Sequence, residues 1–492
     1  MAEDREGPVP PRAAEMPEDS AQRLLKLCRE GRLGEVEREL SGLPETARDW
    51  RIALARGWAA ARHGRNREAE TALQRAAERA GRETEPALLL ARLYRSERRF
   101  SESAAVYRQA IELDAKHAEA RAELAQCLHA LGALSDARET LEPLREEAAR
   151  RHWPAERLHW LAAAYTRIAR ERDAIPLLEQ AAEKAPTQFG IGHALRHLRG
   201  QVAPAWHFAM MRDEKRHAAY AEALAKTVTP ESLVLEIGTG SGILAMLAAK
   251  AGARHVYSCE SDPLIAETAR GIVAKNGLAG KITVIAKPSQ QLRIGQDLPE
   301  PADILLSEIL GDTVFSEDLL AITADARARL LTPGAVLIPW KVAAMTCLAG
   351  GDKLAALSRV GRVAGFDLSA FNRFAPSMLA LDLTQHDFTS LSAPREIFAA
   401  ELAAPPDQPR QERFTYWASG EGRAEGLLQW NRLYLAEDLV FENAPPEDWR
   451  PSSWRHCFFS FERAIALRAG DSVEVTGLHN GKILSFLEGR WR

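Results

Sequence analysis

Val234-Leu-Glu-Ile-Gly-Thr-Gly-Ser-Gly-Ile243 decides the fold, because a hydrophobic strand runs directly into three alternating glycines and then a helix. Gly238, Gly240 and Gly242 allow backbone angles that a Cβ would forbid, and they let a ligand approach the main chain. The helix that follows, from 244 to 250, turns its N-terminal amides toward the same place. The stretch therefore predicts a nucleoside site at the end of a buried strand.

A second predicted strand, His255 to Cys259, ends in Glu260, where an acid holds the ribose hydroxyls in folds of this kind. The spacing Glu-x-Gly-x-Gly-x-Gly, which begins at Glu236, differs from the dinucleotide pattern Gly-x-Gly-x-x-Gly. It resembles motif I of class I S-adenosylmethionine (AdoMet) methyltransferases. The resemblance implies AdoMet as cofactor, S-adenosylhomocysteine as its product, and a place for Glu236 near the methionine end. An ordinary strand-to-helix turn is the alternative.

Strand and helix periods alternate after this point, which predicts a mostly parallel, doubly wound α/β sheet. An amphipathic helix is predicted ahead of it, from Trp206 to about Ala225. The predicted strands are 234–237, 255–259, 282–286, 304–307 and 336–338, and the predicted helices are 244–250, 263–275 and 318–331.

Residues 20–186 have little Pro or Gly and repeat every 34 residues. This pattern resembles tetratricopeptide (TPR) repeats, in which small residues let paired helices pack closely. Three extra residues in the last unit are expected in the loop at 152–154. The concave face of such an array predicts a docking site for the substrate protein or a partner, with a purely structural cap as the alternative. Matching positions are Ala60, Tyr94 and Leu128; Ala69, Ser103 and Ala137; and Ala76, Ala110 and Leu144, with Tyr165, Ala174 and Ala181 in the displaced unit.

Composition limits the class of protein. A net charge of -4 over 492 residues lacks the electrostatic signature of a dedicated nucleic-acid binder. Five scattered cysteines, without a Cys-x-x-Cys pair, predict neither a disulfide framework nor a zinc site. Residues 1–19 have no signal-peptide core, and no run of about 18 apolar residues follows. We expect a cytoplasmic protein with a short disordered leader and no bound metal.

The fourth predicted strand ends in Ser307-Glu-Ile-Leu-Gly-Asp-Thr-Val-Phe-Ser-Glu317, with two glutamates nine residues apart. This segment resembles the double-E loop of protein arginine methyltransferases. The helix from Trp206, Lys250-Ala-Gly-Ala253 and Leu337-Ile-Pro339 also match that family, and TPR-like repeats ahead of them resemble its TPR-bearing branch. The resemblance implies methyl transfer to arginine side chains of a protein, with the two glutamates as catalytic residues.

Two carboxylates suit this chemistry because a guanidinium is cationic and poorly nucleophilic at neutral pH. Forked hydrogen bonds to Glu308 and Glu317 would fix its plane and concentrate its charge away from the attacking nitrogen. A carboxylate or water then takes the proton as the methyl is transferred. A structural interpretation of Glu317 stays open, because Ser316-Glu-Asp also has the composition of a helix N-cap followed by first-turn acids.

By position in the family's motifs, the resemblance implies further cofactor contacts. Arg216 would pair with the AdoMet carboxylate, His207 and Met210 would line the methyl-donor pocket, and Ser289 and Gln290 would contact the adenine edge. A surface charge is the alternative for Arg216, and a packed interfacial histidine is the alternative for His207.

Residues 341–492 change to short alternating runs, which predict antiparallel strands. The family places a β-barrel with a helical dimerisation arm here, and Gly365 to Phe371 has the turn-like start of that arm. Pro451-Ser-Ser-Trp-Arg455 occupies the position of the family's Thr-His-Trp loop. The resemblance therefore implies that Trp454 lines the arginine channel, with packing in the core as the alternative. Ser453 stands where the family has a histidine.

Two further features bear on the product. The segment from Leu198 to Pro204 lacks the aromatic pair of asymmetric dimethylating members, so asymmetric dimethylation is not favoured. Asp312 adds an acid to the double-E loop, as in the monomethylating and TPR-bearing branches.

The sequence thus predicts a leader at 1–19, TPR-like repeats at 20–186, a Rossmann-like methyltransferase domain at 187–340 and a barrel-like substrate and dimerisation domain at 341–492. A homodimer or pseudo-dimer is compatible with this plan. Two alternative functions stay open. One is methyl transfer to a non-arginine or small-molecule acceptor, and the other is a TPR scaffold that binds AdoMet without turnover.

Overall fold

The computed structural model describes residues 18–44, 47–383, 388–405, 408–445 and 454–491. Most of the expected leader and the departure at Ser453 lie outside these ranges. The chain divides into two compact units, one ending at Ala203 and the other beginning at Pro204. Among the described residues, no helix is both long and apolar enough to cross a membrane.

The described residues of the first unit form eleven helices, and each helix packs against the next one along the chain. They are α1 (Glu18–Arg29), α2 (Leu33–Ser41), α3 (Trp50–Arg62), α4 (Asn66–Arg79), α5 (Glu85–Ser96), α6 (Phe100–Leu113), α7 (Ala118–Ala130), α8 (Leu134–Arg151), α9 (Ala155–Thr166), α10 (Glu171–Lys184) and α11 (Phe189–Val202).

The 34-residue register falls on the buried faces of these helices. Its members are at most 5% exposed, which explains why small residues recur at closely packed positions. Gly64 and Gly132 lie in the turns between paired helices, with φ of 71° and 79°. The prediction for the three extra residues was wrong: α8 has 18 residues, against 14 in α4 and in α6, so the insertion lengthens the helix. Ala148, which is buried, continues the packed face into the added turn.

The stretch after Pro186 forms α11. Ile191, Leu195 and Leu198 are buried at helical spacing, and this apolar face stabilises the helix despite its glycines.

The second unit begins with a parallel α/β sheet whose strand order is β3-β2-β1-β4-β5. The order reverses between β1 and β4, and ligands of such sheets bind at the carboxyl ends of the strands at that point. Its elements are α12 (Trp206–Met211), α13 (Glu214–Thr227), β1 (Leu233–Ile237), α14 (Ile243–Lys250), β2 (His255–Cys259), α15 (Pro263–Lys275), β3 (Ile282–Ile285), β4 (Ala302–Ser307), α16 (Leu319–Arg329) and β5 (Leu331–Ile338).

The single helix predicted from Trp206 was wrong, because the chain forms two helices, α12 and α13. The side chain of Asp213 accepts a hydrogen bond from the backbone N–H of Arg216 at 3.1 Å and so caps α13. Because α13 begins at Glu214, the side chain of Arg216 lies on the buried face of this helix.

The C-terminal part is antiparallel, as expected, and continues the core of the α/β sheet. Its described strands form a seven-stranded, a three-stranded (β12-β16-β17) and a two-stranded sheet, so closure into a barrel stays a prediction. The elements are β6 (Lys341–Gly350), α17 (Asp352–Ser358), β7 (Arg362–Val363), β8 (Phe366–Asp367), β9 (Leu379–Leu381), β10 (Thr389–Ser390), β11 (Arg395–Glu401), β12 (Arg410–Trp417), β13 (Gly422–Ala436), β14 (Leu439–Glu442), β15 (His456–Leu467), β16 (Ser472–His479) and β17 (Leu484–Trp491).

Candidate active site

The glycine loop between β1 and α14 depends on the absence of side chains. Gly238, Gly240 and Gly242 have φ of 89°, 51° and 81°, in the region that favours glycine. A Cβ on Gly238 would also lie 2.8 Å from Cγ2 of Ile309. The loop is therefore packed directly against the residue that follows Glu308.

Glu260 follows the last residue of β2, and its side chain reaches the glycine loop. Its carboxylate accepts hydrogen bonds from the backbone N–H groups of Gly240 and Asp262, each at 3.0 Å. The carboxylate also lines the cavity described below, so it is available to a ligand that displaces or shares these bonds. This position fits the predicted role in holding ribose hydroxyls.

Glu236 is buried beneath the loop and does not line the cavity. Its carboxyl group accepts a hydrogen bond from the N–H of Ala245 in α14 at 3.2 Å and another from the hydroxyl of Ser258. Burial raises the pKa of Glu236 to about 8. In this structure Glu236 holds the glycine loop between β1, β2 and α14, while its predicted place near the methionine end stays untested.

We expect Glu236→Gln to flatten the pH dependence of stability. The folded carboxyl keeps its proton up to about pH 8, whereas the ordinary pKa of a glutamate is 4.5, so the folded state binds more protons between these values. The free energy of unfolding therefore falls as pH rises through this window, by up to about 1.4 kcal/mol per pH unit. Glutamine is neutral throughout and keeps the acceptor for Ala245. Urea unfolding at several pH values checks this against the exposed control Glu231→Gln, and equal slopes in wild type and Glu236→Gln would contradict it.

Arg216 and Glu308 form a buried ion pair behind the cavity. Arg216 is 1% exposed, and its Nη1 donates to Oε2 of Glu308 at 2.9 Å, while Nη2 donates to the backbone oxygen of Met210 at 2.8 Å. Its Nε has no hydrogen-bond partner in the described chain. Burial raises the pKa of Glu308 to about 7, and the Arg216 charge opposes that rise. The surface-charge interpretation of Arg216 was therefore wrong, whereas its contact with the cofactor carboxylate stays a prediction.

Glu317 lies at the other end of the double-E loop in a left-handed conformation. Its φ is 66°, and that of Asp318 is 60°. Such angles cost roughly 1 kcal/mol or more for each residue that carries a side chain, so the surroundings must hold them. Burial of the carboxyl group raises the pKa of Glu317, and the Asp312 charge adds to that rise.

The N-cap interpretation of Ser316 was wrong. Helix α16 begins only at Leu319, and its N-cap position, Asp318, makes no side-chain capping bond. The Ser316 hydroxyl instead donates to the backbone oxygen of Thr313 at 2.7 Å and accepts from the N–H of Gly311 at 2.9 Å. A Cβ on Gly311 would lie 2.2 Å from this hydroxyl oxygen, so the loop requires glycine there.

The C-terminal sheet holds the same loop from its other side. The indole N–H of Trp454 donates to the backbone oxygen of Leu310 at 2.9 Å, and the Asn431 amide donates to that of Gly311 at 2.9 Å. Arg455 binds Asp312 through its backbone and guanidinium N–H groups. Trp454 is buried, so it is a packing residue as well as part of the cavity wall.

One cavity of about 700 Å³ brings most of the predicted site together. Ligands of drug-like size bind in cavities of this range. Its walls come from the α12 segment, the glycine loop, the end of β2, the double-E loop and the C-terminal sheet. The predicted residues that line it are His207, Met210, Gly238, Gly240, Glu260, Glu308, Glu317 and Trp454.

Other predicted residues lie outside that lining. Gly242 ends the loop at the start of α14, Glu236 lies beneath the loop, and Arg216 is covered by its pairing with Glu308. Ser289 is buried, and Gln290 lines a separate hollow with Lys287, Arg293 and Arg329. Their contact with adenine stays a prediction.

Two residues of α12, Trp206 and His207, line the cavity. The ring of His207 stacks on Trp206, with centroids 3.7 Å apart, and its Nδ1 lies 3.3 Å from the backbone oxygen of Pro204. His207 therefore lines the cavity and packs on Trp206, while its place in a methyl-donor pocket stays a prediction.

No sequence motif points to Asn431, Arg455, Asp382 or His456, although the last three line the cavity and Asn431 holds its loop. Asn431 lies 120 residues from its partner Gly311, and no local pattern signals that contact. The acid at Asp312 and the base at Arg455 were both visible, but their pairing depends on the fold.

Comparisons with known proteins agree with this geometry. A family model described as ribosomal protein L11 methyltransferase (PrmA) matches residues 219–338, and a tetratricopeptide repeat model matches residues 94–156. The chain is 34% identical over 275 residues to the arginine N(omega)-methyltransferase of Streptomyces achromogenes subsp. streptozoticus, which covers 55% of this chain and 75% of that relative. The chain belongs to the arginine N-methyltransferase family.

Two further similarities extend the comparison. Protein arginine N-methyltransferase 7 of Drosophila ananassae is 30% identical over 268 residues, but this methyltransferase spans only 39% of that relative. The Trypanosoma brucei PRMT1 enzyme-prozyme heterotetrameric complex with AdoHcy aligns with a TM-score of 0.50 at 23% identity, over 56% of this chain and 88% of that chain. This structural likeness concerns the fold alone.

Proposed function

We propose that this protein transfers a methyl group from AdoMet to a guanidino nitrogen of arginine in a protein substrate. The observation that carries the proposal is that Glu308 and Glu317 line the same cavity as Gly240 and Glu260. A nucleoside-binding loop and a pair of carboxylates therefore face one space. A non-arginine acceptor would not need both carboxylates.

The residues at the cavity fit the cofactor. Gly238 and Gly240 leave the main chain open where a side chain would intrude, and Glu260 offers a carboxylate to ribose hydroxyls. Arg216 is a buried cation whose Nε has no hydrogen-bond partner among the described residues, which suits an anionic group such as a carboxylate. Bound AdoMet supplies an electrophilic methyl group on sulfur.

The two glutamates would act on the acceptor. Their carboxylates bind the N–H groups of one guanidinium, fix its plane and leave one nitrogen directed at the methyl group. As that nitrogen forms its new bond, it loses a proton, which a carboxylate or water accepts. Arg216 stays paired behind Glu308 and keeps that carboxylate in place.

We expect the transfer rate to rise with pH. Burial raises the pKa of Glu308 to about 7, so its ionised fraction grows as pH rises from about 6 to 8, while arginine stays cationic. The value of kcat/KM should therefore rise about tenfold per pH unit below pH 7 and level off above it. Initial rates at constant ionic strength check this, and a flat profile across that interval would contradict it.

Recruitment through the TPR-like helices is part of the proposal. It is supported by the repeat match and by the regular helix pairs of the first unit. Free arginine is a second candidate acceptor, because one relative is named for arginine itself, and because Asp382 and Arg455 place opposite charges in the cavity wall.

One experiment separates these acceptors. The full chain is incubated with labelled AdoMet in three separate reactions, which contain folded proteins, short arginine-rich peptides or free arginine. The methylated atoms are identified by mass spectrometry. Methylarginine formed at higher kcat/KM on proteins than on peptides supports recruitment. Label on free arginine alone would replace the protein substrate, and label only on other acceptors would refute the proposal.

Self-association and a cytoplasmic location complete the proposal. Phe366, Phe371 and Phe374, at and after the β7–β8 hairpin, are 72%, 69% and 66% exposed, which is unusual for large apolar side chains that lie close together. The stretch expected to start a dimerisation arm therefore offers an apolar contact for a second copy. The five cysteines are free and buried, which suits a reducing compartment.

A further inference from the structure

The turn between β16 and β17 contacts the double-E loop on both sides of Glu317. His479, at the end of β16, packs against Phe315, with ring centroids 4.0 Å apart. Lys482, in the turn itself, places its Nζ 2.7 Å from Oδ1 of Asp318. We call residues 479–484 the bracing turn. It is distant in sequence from the loop and outside every motif that the sequence displays.

The loop needs such support at this point. Glu317 and Asp318 both have left-handed backbone angles, although neither is a glycine. Such angles persist only where the surroundings determine them. Beyond Asp318 the chain enters α16 at the buried Leu319, so the strained pair lies between two packed residues, Phe315 and Leu319.

His479 contributes a ring of fixed shape. It is fully buried, and neither of its ring nitrogens has a hydrogen-bond partner in the described chain. Phe315 lies on one side and Phe398 lies 5.7 Å away by ring centroids. Burial lowers the pKa of His479 to about 4, and the Arg410 charge adds to this, so the ring is uncharged at neutral pH. It therefore acts by packing under Phe315 rather than by charge.

We propose that His479 and Lys482 are positioning residues, which hold Glu317 in the orientation that binds the acceptor guanidinium. The inference rests on the proposed function, because the orientation of Glu317 matters to turnover only if Glu317 binds the acceptor. Neither residue lines the cavity, so each acts through the loop.

The Lys482→Ala variant tests the positioning role of Lys482, because loss of positioning and loss of a distant positive charge change the kinetics in opposite directions. Removing a cation near an acidic site strengthens the attraction of a cationic peptide, which lowers KM and raises kcat/KM. Loss of positioning instead lowers kcat. An exposed ion pair contributes little energy, so we expect kcat to fall about three- to fivefold, with AdoMet affinity unchanged. Lys482→Arg should restore the rate. A higher kcat/KM with unchanged kcat would overturn the proposal.

A matched control and a double mutant separate positioning from general destabilisation. Lys226 forms a similar exposed pair with Asp438 and lies outside the cavity lining, so Lys226→Ala should leave kcat unchanged. Lys482→Ala should cost nothing further in a Glu317→Gln background, because its effect passes through Glu317. An equal fold-loss in both backgrounds would overturn the proposal.

The role of His479 is tested by two substitutions, one that removes its aromatic ring and one that keeps a ring. His479→Ala should lower kcat at least tenfold, whereas His479→Phe, which keeps an aromatic ring under Phe315, should keep kcat within about threefold. Amide hydrogen exchange of residues 311–318 gives a readout that does not need turnover: it should quicken in Lys482→Ala and His479→Ala and stay slow in His479→Phe. Unchanged exchange in both alanine variants would overturn the inference, whatever the activity. Absence of transfer by wild type, with quickened exchange in both alanine variants, would instead refute the proposed function and leave only the bracing of the loop.

Discussion

Replacing Glu317 by glutamine should lower the rate of methyl transfer at least a hundredfold and leave AdoMet affinity within about twofold. The carboxylate lines the cavity and makes no ion pair with Arg216, so its charge is directed to the acceptor. A water-excluded, charge-assisted contact that strengthens in the transition state is worth on the order of 3 kcal/mol, which is about a hundredfold in rate. Single-turnover transfer to an arginine peptide and calorimetry with AdoMet measure the two quantities.

The Glu308→Gln variant should slow methyl transfer as much as Glu317→Gln does, but it should also lower stability and AdoMet affinity. Glu308→Gln leaves Arg216 as a buried cation without its ionic partner, and breaking such a pair costs about 3 to 5 kcal/mol of stability. Because Arg216 also binds the backbone of Met210 in the cavity wall, AdoMet affinity should fall as well. Exposed Glu231→Gln is the control for both variants. A Glu317→Gln variant that keeps wild-type turnover would contradict the paired-carboxylate account.

Gly238→Ala should remove most AdoMet binding and transfer. Its Cβ would meet Ile309 at 2.8 Å, and its φ of 89° strains any residue with a side chain. Relief of that clash moves either the glycine loop or the start of the double-E loop. With overpacking strain of about 1 to 3 kcal/mol directed at the site, affinity should fall roughly ten- to a hundredfold. Calorimetry with AdoMet and S-adenosylhomocysteine measures the change.

Gly252 offers a matched control for this substitution. Its φ of 106° is equally unfavourable for a side chain, but an added Cβ would meet nothing within 4 Å. Gly252→Ala should therefore lower the free energy of unfolding by about 1 to 2 kcal/mol and leave AdoMet affinity unchanged. Equal losses of affinity in both variants would mean that backbone strain, rather than the contact with Ile309, controls the site.

Much of the α/β fold followed from local sequence signals. Strand β2 and helix α15 have the predicted limits, because a buried strand, an acid and an Asp-Pro helix start occur in that order. The 34-residue register identified buried positions in the helical array because each unit repeats the same packing problem. The break at Asp213 was missed, since a capping aspartate inside an amphipathic pattern looks like an exposed helical residue.

The site was only partly visible for a different physical reason. The sequence motifs indicated Glu308, Glu317, Gly240 and Glu260, which the fold places around one cavity. The support of the loop depends on contacts between residues 92 or more positions apart, such as those of Arg216 with Glu308 and of Trp454 with Leu310. Hydrogen bonds of this kind leave no periodic trace, so only the folded chain shows them.

The central claim is that two carboxylates present one guanidinium to AdoMet. Its most direct test gives the full chain methyl-labelled AdoMet and two peptides that differ at one position, arginine or its uncharged analogue citrulline. The account predicts label on the guanidino nitrogens of the arginine peptide, as methylarginine by mass spectrometry, and none on the citrulline peptide. Label on any other atom, or AdoMet binding without label on the arginine peptide, would contradict it.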